Sequence, residues 1–554
     1  MITDELQLRV RTAFGHIPTV EQDMTIGIFA EFLTDRTPMT VMVLTGAAGT
    51  GKTSLASAIV KALDTLQQKM VLLAPTGRAA KVFSLYAGHK AYTIHRRIYR
   101  QKTAGDLSVF NLNDNLHADT LFIVDEASMV SHGAPSTTAP GAADFGTGDL
   151  LDDLVRYVYS GRNCRLMLIG DSAQLPPVGE AEAPALQAGV LRGYGLRVHQ
   201  ACLTEVLRQS QESGVLWNAT IVRRIIESAG TDGLNDANDA AALLPRLHIR
   251  GFADICIVPG DELIETLASS YSRVGIDETI VITRSNKRAN IYNQGIRNSI
   301  LDREGELTRG DQLMVVKNRY LKHTPDKPTT QKPTPTPSPR EGSLYSSSLG
   351  EGSGHLSYGS KTIQSPLPWG GEGGGLLPSG GEGGGLPSGG EGGEPDFIAN
   401  GDRCVVQRLR GSETVYGFSF AEATLTFPDY DDYELTCKVL LDTLRSEAPA
   451  LTREQQEQLY QGVIADYADI PHKADRLKAL KSDVYYNALQ IKYGYAVTCH
   501  KAQGGQWAHV YIDQGHMTDD MLTPDYLHWL YTALTRATDR VYLINWPATQ
   551  VGDE

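Results

Sequence analysis

Short apolar runs, each closed by turn residues and followed by a longer amphipathic stretch, recur through the first third of the chain: residues 41–44, 70–73, 121–124 and 166–169. Runs this brief and this uniformly apolar read as strands buried on both faces, and the helix-like stretches between them, such as 54–66, read as crossovers of a parallel sheet. Residues 131–148, rich in Ala, Pro, Thr and Gly, interrupt the rhythm and are predicted to form a mobile surface loop. A second α/β segment begins near Leu203, with a helical pattern over 215–227 and a strand over 279–283. The pattern then changes. Residues 307–319 and 397–409 resemble strands of a small β-barrel, each with a Gly-Asp pair (Gly310-Asp311, Gly401-Asp402) ahead of apolar residues. Charge-rich helix is predicted over 452–480, and strand-like sequence returns at 491–497 and 510–512. The C-terminal piece thus completes the α/β domain begun before the barrel. The implied domains are 1–200, a second domain split between 201–306 and 485–554, and a barrel-and-helix insertion at 307–484.

Between the barrel segments the periodicity vanishes. Thr-Pro alternation runs over 324–339, followed by a Ser/Gly tract and by copies of G-G-E-G-G-G-L-(L)-P-S that start at Gly370 and Gly380, with a truncated third from Gly389. Such sequence buries too little apolar area to offset its chain entropy, so residues 324–395 are expected to be a disordered, in-frame insertion without catalytic duty. A surface loop can carry it, because closure cost grows only logarithmically with length. The competing reading is a flexible partner-binding tether.

A chain of 554 residues exceeds one hydrophobic core, and 41% hydrophobic residues suit a globular protein. Its six cysteines (Cys164, Cys202, Cys256, Cys404, Cys437, Cys499) form no C-x-x-C pair, which argues against a zinc ribbon or disulfide framework and for a reducing, cytoplasmic setting. No apolar run approaches the roughly 18 residues of a membrane span. The net charge of −14 seems unsuited to nucleic acid, but its distribution changes the picture. No carboxylate occurs between Asp64 and Asp106, a window holding Lys69, Arg78, Lys81, Lys90, Arg96, Arg97, Arg100 and Lys102. Phe83, Tyr86, Tyr92 and Tyr99 are interleaved with them. Cations beside stackable rings suit a single-stranded nucleic acid; a solvated basic face with some rings in the core is the structural alternative.

The chemistry-bearing motifs sit at the strand ends. Residues Gly46, Ala47, Ala48, Gly49, Thr50, Gly51, Lys52 and Thr53 spell a G-x-x-x-x-G-K-[ST] phosphate loop between a strand and a helix that continues from Ser54. Backbone N–H groups of such a loop cradle phosphates, Lys52 neutralises the β/γ pair, and the Thr53 hydroxyl joins a Mg²⁺ shell. Asp125 and Glu126 follow the apolar run 121–124, at the strand edge where open α/β sheets bind ligands. Asp125 is assigned to Mg²⁺ and Glu126 to the attacking water. The third strand ends in G-D-S-A-Q, and Gln174 can sense a γ-phosphate through its amide; a turn with an Asx cap is the structural alternative. No metal-ligand cluster for a fused nuclease and no nucleophile–base pair emerges.

In order and spacing these motifs resemble those of superfamily 1B helicases of the RecD-like and Dda-like kind, through nearly the whole chain apart from the low-complexity loops. Residues 14–22 resemble the family's Q motif, with Gln22 as adenine reader. Residues 73–80 (L-A-P-T-G-R-A-A) resemble motif Ia and 92–95 (Y-T-I-H) the element that follows it. Residues 203–209 (L-T-E-V-L-R-Q) resemble motif IV, 495–504 motif V and 530–537 (L-Y-T-A-L-T-R-A) motif VI. The resemblance implies an α/β fold of two RecA-like P-loop NTPase domains, an SH3-like barrel inserted in the second and a small duplex-splitting pin, about 97–117, in the first. It implies ATP and Mg²⁺ as ligands, with Arg208 and Arg536 as arginine fingers. It also implies nucleic-acid contacts from Thr76, Arg78, Thr93 and His95 on one lobe and Thr498, His500 and Lys501 on the other. The expected activity is ATP-dependent, 5′ to 3′ DNA unwinding by a monomer that binds single-stranded and tailed duplex DNA and no membrane. An RNA-directed motor and an assembly protein with a decayed motor are the alternatives.

Overall fold

Alternation along each short strand dictates the architecture of the first lobe. In the computed structural model, Val41, Val43, Leu73, Phe122, Val124, Leu166 and Leu168 pack on one face, with Leu151, Leu154 and Val158 of the helix Leu150–Ser160. Their neighbours Met42, Leu44, Leu72, Ile123, Met167 and Ile169 pack on the other, against Leu55, Ile59 and Leu63 of the helix Lys52–Thr65. A sheet covered on both faces needs parallel strands joined by helical crossovers. The result is six parallel strands in the order Ala91–Thr93, Met70–Ala74, Leu121–Val124, Arg165–Gly170, Thr40–Gly46, Arg197–Leu203. The strand Arg197–Leu203 belongs to this first sheet, pairing Gly46 with Leu203, so the first lobe runs past residue 200. The structure describes residues 2–101, 109–133, 144–145, 147–205, 212–232, 245–320, 397–517 and 523–552.

The second lobe repeats the plan with five parallel strands in the order Ile255–Val258, Ala537–Ile544, Trp507–Asp513, Thr279–Thr283, Ala496–Thr498. One face is covered by the helices Gly214–Asp232 and Pro524–Leu534, through Ala219, Val222, Leu527 and Leu530. The opposite face, with Val281, Tyr511 and Tyr542, shares a continuous core with the barrel residues Leu313, Val406, Leu425 and Ile491. The barrel is therefore built onto the second lobe. It closes through Gln312–Val315, Arg403–Val415, Phe418–Phe427, Tyr433–Leu440 and Leu489–Tyr493.

Several local expectations shift. The strand-like run 491–497 supplies two strands: Leu489–Tyr493 closes the barrel and Ala496–Thr498 enters the second sheet. Gly494 lies at the junction, where a Cβ would meet the Leu313 backbone at 3.4 Å. Residues 452–480 form two helices, Arg453–Asp466 and Lys473–Ser482, rather than one. Arg319–Tyr320 and Phe397–Ile398 make a separate antiparallel ribbon outside the barrel. In the region assigned to the pin, Tyr99–Gln101 and Val109–Leu112 pair antiparallel, and the tip, 102–108, lies outside the described residues. Of the loop 131–148, Asp144–Phe145 pairs in parallel with Val109–Phe110, while 134–143 and 146 lie outside the described residues, as does the low-complexity stretch 324–395.

Candidate functional site

The phosphate loop leaves the central strand Thr40–Gly46 and enters the helix Lys52–Thr65 through left-handed glycines, Gly49 (φ 78°) and Gly51 (φ 83°). Only glycine takes this conformation without strain. Gly46 has a steric role: a Cβ there would lie 2.9 Å from the Leu203 carbonyl. Ala47 N–H donates to that same carbonyl at 3.1 Å, so the neighbouring strand fixes the start of the loop. Lys52 Nζ donates to the Gly46 and Ala47 carbonyls, at 2.7 and 2.8 Å, and lies 3.9 Å from Asp171 Oδ2.

Five sequence-predicted residues converge on one cleft of about 340 Å³: Lys52, Asp125, Glu126, Gln174 and Arg536, with Thr53 and the glycine loop also on its wall. Arg536, from the second lobe, is buried with Nη1 3.7 Å from Glu126 Oε1. With the Gln174 amide in the orientation that satisfies both neighbours, its nitrogen donates to Glu126 Oε2 (3.2 Å) and its oxygen accepts from Arg536 Nη2 (3.0 Å). Burial and the adjacent Glu126 carboxylate push Asp125 up to about 7. A half-buried carboxyl beside a second one, on the same cleft wall as the Thr53 hydroxyl, is an oxygen donor set that fits a hard divalent cation.

Other predicted residues sit elsewhere. Gln22 is buried in the capping box of the helix Val20–Thr34, its oxygen accepting from Thr19 N–H and its nitrogen donating to the Thr50 carbonyl, both at 3.0 Å. It braces the phosphate loop from behind and does not line the cleft. Ser54 is exposed on the first turn of the loop's helix. Arg208 lies outside the described residues. Arg78 points into the contact between lobes: its guanidinium stacks on Trp507 at 4.2 Å and donates to the Gln506 carbonyl.

The remaining nucleic-acid candidates share one local design. Thr76, Thr93 and Thr498 each stand between a strand's C-terminal end and a helix N-terminus, Thr93 and Thr498 after edge strands and Thr76 after the strand next to the edge. Thr76 accepts from Ala79 N–H and Thr93 from Arg96 N–H, whereas the Thr498 side chain makes no capping bond. Helix N-termini offer backbone N–H groups and positive potential, which suits a phosphate backbone. His95 is half-buried, and burial holds it neutral by pulling its pKa down to about 4. Burial also lowers Lys501 to about 8, while His500 is exposed.

Sequence reasoning missed a buried junction beneath the cleft. Asp171 accepts from Arg223 Nη1 at 2.6 Å and from the Tyr531 hydroxyl at 2.5 Å. The signal for Asp171 was present in the G-D-S-A-Q turn, an acid directly after a buried strand. Nothing in sequence linked it to Arg223 or Tyr531, distant in the chain.

A phosphate loop facing a second parallel α/β lobe that contributes a buried arginine defines a nucleotide-binding P-loop protein with two RecA-like domains. Residues 28–139 match an AAA domain family, and residues 493–544 match the UvrD-like helicase C-terminal domain family. The chain is 30% identical over 177 residues to the ATP-dependent RecD2 DNA helicase of Deinococcus radiodurans, covering 32% of this chain and 21% of that protein. It is 24% identical over 292 residues to the ATP-dependent DNA helicase dda of Enterobacteria phage T4, covering 50% of this chain and 56% of that one. A Bacteroides Pif1 helicase structure in complex with ADP-AlF3 and ssDNA aligns over 97% of this chain and 95% of its own, at 13% identity and a TM-score of 0.40. The chain is thus similar in parts to the RecD2 and dda helicases, spanning 21% and 56% of their lengths. Among the described residues, no helix is long and apolar enough to cross a membrane.

Proposed function

We propose that this chain is an ATP-dependent DNA helicase that moves 5′ to 3′ along single-stranded DNA, acting as a monomer in the cytoplasm. The observation that carries the reading is the Glu126–Gln174–Arg536 trio, in which a buried arginine of the second lobe meets the carboxylate assigned to water activation on the first. A guanidinium is always charged and forks onto oxygens, so it can meet charge developing on a transferred phosphoryl group. ATP held by the loop would take Lys52 away from its own carbonyls and give Arg536 a γ-phosphate in place of Glu126. Thr53 and Asp125 would hold Mg²⁺, which when bound neutralises β- and γ-phosphate oxygens. Glu126, released from Arg536, is then free to orient the attacking water. Loss of the γ-phosphate removes the bridge between lobes, and alternating grip by Thr76, Thr93 and His95 against Thr498, His500 and Lys501 converts opening and closing into steps.

The test is ATP hydrolysis with and without single-stranded DNA or RNA, together with unwinding of duplexes bearing a 5′ or a 3′ tail. Strong stimulation with unwinding from the 5′ tail alone supports the proposal. Hydrolysis indifferent to DNA overturns the motor, unwinding from the 3′ tail overturns the polarity, and equal or better performance on RNA overturns the substrate.

A further inference from the structure

The helix Pro524–Leu534 ends two residues before Arg536, and its last turn is pinned to the first lobe at neighbouring positions. The Tyr531 hydroxyl accepts from the N–H of Ala48, in the phosphate loop, at 2.9 Å and donates to Asp171 Oδ2 at 2.5 Å. The next residue, Thr532, accepts on Oγ1 from Leu175 N–H at 2.8 Å, while its carbonyl accepts from Arg536 Nε at 3.1 Å. Asp171 is held from its other side by Arg223 Nη1 and by Ala173 N–H, at 2.6 and 3.1 Å. The phosphate loop, the turn after the strand Arg165–Gly170 and the helix preceding Arg536 therefore meet at one phenol.

Packing alone does not call for this hydroxyl. Tyr531 is 1% exposed in an apolar cluster with Leu527, Leu530 and Leu534, where a phenyl ring would serve. A buried hydroxyl is costly without partners, and here it both donates and accepts. Its acceptor role falls on a loop residue whose chain neighbour, Ala47, spends its N–H on the Leu203 carbonyl.

We propose that Tyr531 is a positioning residue that ties the phosphate loop to the helix preceding Arg536 and so sets where that guanidinium stands for phosphoryl transfer. The inference rests on the motor reading above. Because catalysis is sensitive to ångström-scale misplacement, removal of the hydroxyl acts on turnover rather than on nucleotide capture, which the loop and Lys52 perform.

The experiment compares the parent full-length chain with Tyr531→Phe, Arg536→Lys and the double variant in steady-state ATP hydrolysis at saturating single-stranded DNA, with melting temperatures alongside. Tyr531→Phe is expected to lower kcat about tenfold while KM for ATP moves less than about twofold, the signature of an interaction used in the transition state. In the Arg536→Lys background the same change should cost little more, since both act through one guanidinium. Thr532→Val, which removes the neighbouring pin, should show the same kcat-weighted loss and serves as the second test if Tyr531→Phe fails to fold. Unchanged kcat in Tyr531→Phe, or a loss that persists in full in the Arg536→Lys background, overturns the proposal while leaving the motor intact. A parent chain that does not hydrolyse ATP overturns the motor reading itself.

Discussion

At the scale of single residues, the same dipeptide lands in opposite environments. Asp311, after Gly310, accepts from Arg297, Arg303, Thr308 and Tyr495, and its carboxyl is held below the usual range by these partners despite burial. Asp402, after Gly401, is equally buried but meets no cation among the described residues. Oδ2 accepts from Ala399 N–H and the Tyr430 hydroxyl, both at 2.6 Å, Oδ1 has no partner, and desolvation pushes the group up to about 7. Between pH about 4 and about 7 the folded chain thus keeps a proton that the unfolded chain releases. Its contribution to stability is full below about pH 4 and is lost as pH rises through 7. Asp402→Asn should remove that loss, so the melting-temperature difference between pH 5 and pH 8 should be smaller in the variant; parallel pH profiles would show that Asp402 does not titrate there. In the cleft, Glu126→Gln should still bind ATP while hydrolysing it about 10²-fold more slowly or worse, and Lys52→Ala should abolish turnover. Normal turnover by Glu126→Gln would remove its assigned role. Motif spacing made Lys52, Asp125, Glu126, Gln174 and Arg536 legible, because each stands at a strand end or a defined interval. Gln22 and Arg78 were not legible as they stand, since capping and stacking depend on neighbours that only the fold supplies.

At the scale of elements, strand periodicity located the first sheet because its strands are short and buried on both faces. It failed where one strand-like run served two sheets: the one charged residue of 491–497, Lys492, falls inside the first strand, and the division falls at Gly494, which hydropathy does not register. A demand for close approach governs the contact between the turn after the helix Cys499–Ala502 and the helix Gly77–Ala87. Gly504 has φ 70°, and a Cβ there would lie 2.9 Å from Ala79 Cβ and 3.1 Å from Thr76 Oγ1. Gly504→Ala therefore meets left-handed strain of about 1–2 kcal/mol as well as an overlap with the other lobe. Since Thr76 is a proposed strand contact, the variant should lose more of its DNA-stimulated than of its basal ATP hydrolysis, and should melt at a lower temperature. Equal loss of both rates would mean that this contact supports the fold alone.

At the scale of the whole molecule, the question is how the fold tolerates a long, compositionally simple insertion beside its barrel. The described residues on either side of it give a geometric answer. Arg319–Tyr320 pairs antiparallel with Phe397–Ile398, with Tyr320 opposite Phe397. Directly opposed residues of such a pair lie about 4.5–5.5 Å apart, a gap that a two-residue hairpin turn closes. The chain thus leaves the barrel's margin and returns to the same point. Replacing residues 321–396 by Asn-Gly, a type I′ turn sequence, should leave DNA-stimulated ATP hydrolysis within about twofold of the parent and unwinding polarity unchanged. It should also raise stability, because loop closure costs about 0.6 kcal/mol per doubling of length, and shortening by about five doublings recovers roughly 3 kcal/mol. Chemical denaturation of the excised chain beside the parent measures the gain. Abolished hydrolysis in a folded excised chain would show that the insertion serves the motor, and loss of a bound partner with hydrolysis intact would assign it the tether role instead.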